Sequence, residues 1–157
     1  MAQALTDGLT TDLAGLLATP NGTHLGYTGW KQLTQEQING FADVTGDHQW
    51  IHVDVERAKD SQFGGTIAHG FLTLALVAEV TQSLLTVTDS TTGVNYGLDR
   101  VRFPAPMPAG SRWRGGSELL DVSEIPGGVQ VKALVTIELQ GGSKPVCVAE
   151  SLARLLK

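Results

Sequence analysis

Along most of the chain the apolar positions follow two periods, one helical and one alternating. Thr34 followed by Gln37 reads as a capping box, and Ile38, Phe41 and Ala42 then recur at helical spacing, which predicts a short helix to about Val44 ended by Gly46. Asp54 can cap a further turn through Val55-Glu56-Arg57-Ala58, leaving 46–53 as an irregular loop between two helical pieces. Residues 67–85 are apolar on nearly every side in their first half, the mark of a helix covered by other elements, so this is the expected central helix. From Gly93 onward the period changes to two, predicting strands over 93–103, 111–122, 128–140 and 144–156. Turns separate them at 104–110, at Ile125-Pro126-Gly127-Gly128 and at Gly141-Gly142. Helices followed by antiparallel strands give an α+β domain whose sheet wraps around the buried helix. Residues 1–24 hold no sustained period and close on the turn Pro20-Asn21-Gly22, so they read as an N-terminal arm with a short helix over 13–17, ahead of a single domain over 25–157.

Composition narrows the class of partner. A length of 157 residues fits one domain, and 41% hydrophobic with 17% charged residues supplies a core. No uncharged apolar run reaches the ~18 residues that a bilayer span needs. The first twenty residues carry Asp7 and Asp12 but no Lys or Arg, so a secretory leader is not expected and a cytoplasmic location is. The single cysteine, Cys147, has no internal partner and sits in an apolar strand pattern, which reads as an inert buried thiol. A net charge of −5 without any basic cluster argues against nucleic acid and anionic membrane, leaving a small molecule as the expected partner.

Candidate chemistry concentrates in two neighbouring segments. Asp47 and His52 stand in the loop bounded by Gly46, a carboxylate and an imidazole that could share a proton-transfer task. Phe63-Gly64-Gly65-Thr66-Ile67-Ala68-His69-Gly70 then leads into the apolar helix, so the backbone N–H groups near Gly70 lie at a helix N-terminus, which attracts developing negative charge. His48, His52 and Asp54 could suggest metal ligands. That set is not expected to bind, because a catalytic metal needs about three converging ligands with a supporting shell, and the loop has no helix to align them. His69 reads first as a hydrogen-bonding residue at a helix start, and Glu79 as a surface or interface residue. Arg100, Arg102, Arg112 and Arg114 could meet phosphates, although alternation along strands would scatter them over both faces.

Gly46, Asp47, one intervening residue, Ile51 and His52, followed by Ile67-Ala68-His69-Gly70 and then by Val101-Arg102-Phe103-Pro104-Ala105-Pro106 to Gly110, together resemble the MaoC-like dehydratases and (R)-specific enoyl-CoA hydratases of the hot-dog fold. The resemblance covers about residues 30–157. Two positions depart from the pattern: Gln49-Trp50 replaces the usual Asn-Pro, and Ser111 follows Gly110 where Asp is common. The resemblance implies an enzyme that hydrates a trans-2-enoyl-CoA to a (3R)-3-hydroxyacyl-CoA. Asp47 and His52 would be its acid–base pair, the Gly70 N–H its oxyanion donor, and His69 and Phe71 part of the substrate site. It further implies a homodimer with no metal and no cofactor, coenzyme A entering only as the substrate thioester. The alternatives it leaves are a (3R)-hydroxyacyl dehydratase subunit acting on acyl carrier protein in fatty-acid elongation, a non-catalytic acyl-thioester binding subunit, and a thioesterase.

Overall fold

The capping box forms in full at the start of α2 (Gln35–Thr45): Thr34 Oγ1 accepts from Gln37 N–H at 3.2 Å, and Gln37 Oε1 accepts from Thr34 N–H at 2.9 Å. Gly46 ends the helix at φ 79°, a left-handed conformation that glycine adopts without strain. A computed structural model describes residues 8–157, so residues 1–7 of the expected arm lie outside the described residues. The rest of that arm packs on the domain. Leu9–Thr11 (β1) pairs in parallel with Leu85–Val87 (β4), and α1 (Leu13–Ala18) buries Leu13 and Leu16 in the core.

The central helix α5 spans Gly70–Leu84, three residues shorter at its start than the apolar pattern suggested. Ile67 and Ala68 cannot join it because their amides are committed elsewhere: Ile67 N–H donates to Ile51 C=O at 3.0 Å and Ala68 N–H to Met107 C=O at 2.8 Å. Around α5 the strands β2 (His24–Tyr27), β6 (Arg112–Ile125), β7 (Gly128–Leu139), β8 (Cys147–Leu156) and β5 (Thr92–Arg102) lie in the order β2-β6-β7-β8-β5, and the short β3 (Lys31–Gln32) also pairs with β6. The pairings in this sheet are antiparallel. β6 runs three residues further than expected because Ile125 still pairs with Gly128 across a Pro126-Gly127 turn, with Gly127 at φ 81°. β8 begins three residues later than expected, just beyond Pro145, which has no N–H to give to a ladder.

Trp113, Gly115, Ser117 and Leu119 alternate inward along β6 and face the helix. A Cβ on Gly115 would run into the Val80 side chain, so this glycine sets how closely α5 approaches the sheet. Cys147 is fully buried, and burial raises its thiol pKa to about 11, which leaves it inert as expected. One stripe of α5 stays open in the single chain. Phe71 is 74% exposed and Ala75, Ala78 and Gln82 follow it along the same face, beside Val94 and Leu98 of the edge strand β5. These residues line a cavity of about 700 Å³. Among the described residues, no helix is long and apolar enough to cross a membrane.

Candidate active site

Beyond Gly46 the chain turns, and the Asp47 carboxylate accepts the Gln49 N–H at 3.3 Å. Residues Trp50–Val53 then form a short helix, α3, where an irregular loop was expected. The difference is local and physical: His52 N–H reaches Gln49 C=O at 2.9 Å and Asp54 N–H reaches Trp50 C=O at 3.0 Å, closing one turn. Asp54 in turn caps α4 (Val55–Lys59) by accepting Arg57 N–H at 3.0 Å. Trp50 is the first residue of α3, the position where proline is well tolerated, and Gln49 precedes it without making a side-chain cap bond. Asn-Pro would supply both a cap and a fixed φ; here the Arg57 guanidinium lies 4.3 Å from the centre of the Trp50 ring and packs the turn instead.

α3 turns His52 inward, leaving it 6% exposed. Its Nδ1 lies 2.7 Å from Ile67 C=O. A carbonyl only accepts, so Nδ1 carries the proton and Nε2 is left as a bare acceptor. Burial is the largest influence on this imidazole and lowers its pKa, aided by nearby His69 and opposed by the Ile67 carbonyl and the Asp47 carboxylate. The His52 main chain is fixed as well. Gln35 Nε2 donates to His52 C=O at 2.7 Å, and Thr66 Oγ1 donates to Gln35 Oε1, which braces α3 against the segment that leads into α5.

His69 is 2% exposed and its Nε2–H donates to Asp47 C=O at 2.9 Å. Its ring stacks on His52 with centroids 3.8 Å apart and planes 27° apart, and Phe41 lies against it at 5.0 Å. Asp47, His52 and His69 each bring a ligand-capable atom within 4.8 Å of the other two, so these three could hold a metal. The set suggested by sequence spacing is not assembled: His48 Nε2 faces Asp43 at 2.9 Å, and Asp54 caps α4.

Immediately after His69 the first bond of α5 runs from Thr73 N–H to His69 C=O at 3.0 Å, so the N–H groups of Gly70, Phe71 and Leu72 lie outside the helical ladder. Gly70 lines a cavity of about 210 Å³ with Ile67, Thr73, Phe103 and Met107, while Phe71 lines the larger one. The fold thus brings Asp47, His52 and His69 into one cluster, with Gly70 one residue further along. Arg114 is committed to Glu138 at 2.6 Å and stacks over Tyr27 at 4.2 Å, so of the four arginines considered for phosphates this one is already occupied. Sequence reasoning missed Gln35, Thr66 and the Ile67 carbonyl. No local pattern marks them, since each acts on a residue more than ten positions away.

An antiparallel sheet curled around one long helix is the hot-dog fold, and here a histidine and a carboxylate are held near the helix N-terminus. Residues 17–139 match the family model described as MaoC like domain. The 3-hydroxyacyl-thioester dehydratase Z of Mycobacterium tuberculosis is 51% identical over 139 residues, 88% of this chain and 92% of that protein. Two solved structures share the fold. R-hydratase PhaJ1 from Pseudomonas aeruginosa has a TM-score of 0.72 at 24% identity, covering 88% of this chain and 83% of that one. The HadBC (3R-hydroxyacyl-ACP dehydratase) complex from Mycobacterium tuberculosis has a TM-score of 0.72 at 19% identity, covering 85% and 96%. The chain belongs to the MaoC-like family and is a dehydratase-class enzyme of that family.

Proposed function

We propose that this protein is an (R)-specific enoyl-CoA hydratase that adds water to a trans-2-enoyl-CoA to give a (3R)-3-hydroxyacyl-CoA. The observation that carries this reading is the clustering of Asp47 with His52, whose Nε2 is bare, beside His69, with Gly70, whose N–H lies outside the helical ladder, next along the chain. Hydration needs a base for water, a proton for C2 and a donor for the charge that gathers on the thioester oxygen. In this mechanism Asp47 and His52 hold one water between them. His52 Nε2 takes a proton as the water oxygen bonds to C3, and the C2–C3 π pair moves toward the thioester oxygen, which the Gly70 N–H and the helix dipole stabilise. The proton on Nε2 then goes to C2, so a C–O and a C–H bond form while one O–H bond of water breaks. Asp47 orients the water and offsets the transient imidazolium.

The protonation state of His52 sets the pH dependence. Its neutral form is the base, so activity is lost as pH falls through its pKa, and a pKa lowered from the ordinary 6.5 moves that loss to more acid pH. The acid-side decline of kcat/KM, which reports the free enzyme, should therefore have its midpoint below pH 6.5. A decline already complete at 6.5 in the pH–rate profile would contradict a neutral, buried His52.

The open stripe of α5 and the outer edge of β5, unpaired among the described residues, support a homodimer, since a second copy would cover exposed Phe71, Val94 and Leu98. A second reading, dehydration of a 3-hydroxyacyl carrier-protein thioester, uses the same groups in reverse, and its direction agrees with the dehydratase name of the mycobacterial relative. Incubating the purified protein with crotonyl-CoA tests both. The enoyl absorbance should fall, the product should be (3R)-3-hydroxybutyryl-CoA, and the rate should survive exhaustive chelation, with sedimentation giving the mass of two chains. Activity confined to carrier-protein thioesters would favour the second reading, and release of free thiol would make the protein a thioesterase. Loss on chelation with recovery on adding zinc would turn Asp47, His52 and His69 into metal ligands.

A further inference from the structure

We infer that His69 is a positioning residue of the hydration site, whose ring ties the main chain of Asp47 to the imidazole of His52 and so sets the separation of the two groups that share the water. The inference rests on the hydration reading and adds to it a group that touches neither water nor substrate. Asp47 sits in an exposed segment, and among the described residues its carboxylate has one hydrogen bond, the 3.3 Å contact from Gln49 N–H, so the side chain alone does not fix it. What anchors the residue from the core is the 2.9 Å bond from His69 Nε2–H to its carbonyl. The same ring lies 3.8 Å from His52 in a near-parallel stack, with Phe41 holding it at 5.0 Å. One buried side chain therefore contacts both members of the acid–base pair and immediately precedes the residue whose N–H is the proposed oxyanion donor.

The second nitrogen of His69 makes this more than fold support. Nδ1 is buried with no protein partner among the described residues, whereas buried polar atoms kept for the fold are nearly always bonded. Leaving Nδ1 bare goes with keeping the proton on Nε2, the tautomer that reaches the Asp47 carbonyl. An apolar side chain of similar length would fill the same space without the unsatisfied atom. Histidine at this position costs stability and gains a fixed distance, a trade found where strain or unsatisfied groups serve a site.

Two variants and one spectrum test it. His69→Met keeps length and removes the donor; His69→Gln keeps a donor. His69→Met should lower kcat by about 10- to 100-fold, the scale of a small misplacement of reacting groups, with KM within about threefold and His69→Gln between it and wild type. In an Asp47→Asn background, His69→Met should cost less than about threefold more, because a residue that acts through Asp47 has little left to position. Equal turnover of the Met and Gln variants, full multiplication of the two losses, or a rise in KM with kcat unchanged would each overturn the proposal, the last by making His69 a substrate contact. The ¹⁵N spectrum of the substrate-free wild-type protein should show His69 protonated at Nε2 and bare at Nδ1, and His52 the reverse. A proton on Nδ1 of His69 would break the link to Asp47. An inactive wild type with the expected spectrum would instead sink the hydration reading and leave the geometry standing.

Discussion

Turnover should fall by about 10²- to 10⁴-fold in Asp47→Asn and in His52→Gln, the range for losing a positioned acid–base group, with the enzyme still folded. The two variants differ in what else they disturb. Asp47 is exposed and, among the described residues, its carboxylate accepts only the Gln49 N–H, which the carbonyl of asparagine can still accept, so Asp47→Asn should leave the thermal midpoint unchanged. His52 is buried and serves the Ile67 carbonyl through Nδ1–H. Glutamine has a donor for that carbonyl but presents no bare nitrogen to the water, so His52→Gln lowers kcat and costs roughly 1–2 kcal/mol of stability if the new bond is imperfect. Steady-state hydration of crotonyl-CoA beside a melting curve separates the two effects. Near-wild-type turnover in a folded Asp47→Asn protein would remove that carboxylate from the mechanism.

Gly70→Pro is expected to cost about 10²- to 10³-fold in kcat beyond Gly70→Ala, the loss typical of one oxyanion donor. The comparison is unusually clean at this position. A Cβ here lies 3.1 Å from Phe103 Cε2 and 3.2 Å from Cδ2, so the alanine variant already asks the partly exposed Phe103 ring to yield a little. Proline carries the same Cβ, and that crowding cancels between the two variants. Gly70 N–H lies outside the helical ladder, so proline breaks no helix bond. His69 stands at φ −58° and ψ 139°, the extended conformation that a residue before proline prefers, so its backbone need not move. Equal rates for folded Gly70→Pro and Gly70→Ala would mean that some other group holds the thioester oxygen.

Both predictions lean on residues that the sequence exposed to view, and the reason is that their signals are local. The capping box at Thr34 and Gln37, the left-handed Gly46 and the alternation of β6, β7 and β8 depend on side chains a few positions apart, so reading the chain in order recovers them. Asp47, His52 and Gly70 were legible because a family motif fixes their spacing. The pairing of β1 with β4 and the short strands β2 and β3 were not, because two to four residues show no period and form only when a distant partner supplies the ladder.

The sequence by itself therefore determined the fold class, the central helix, the long strands and the identity of the candidate acid–base pair. Only the tertiary structure decided which nitrogen of His52 is free. That depends on the carbonyl of Ile67, fifteen residues away, whose own segment is held extended by Ile51, Met107 and Pro108. It also decided that α5 begins at Gly70 and not at Ile67, since the amides of Ile67 and Ala68 are taken by those neighbours. The contact of His69 with both Asp47 and His52 has the same origin: it spans 22 residues of chain in one direction and a ring stack in the other. Hydrophobic period and capping chemistry act over one or two turns and can be read along the chain, whereas proton positions and group separations are fixed by whichever carbonyls and rings the folded chain brings alongside.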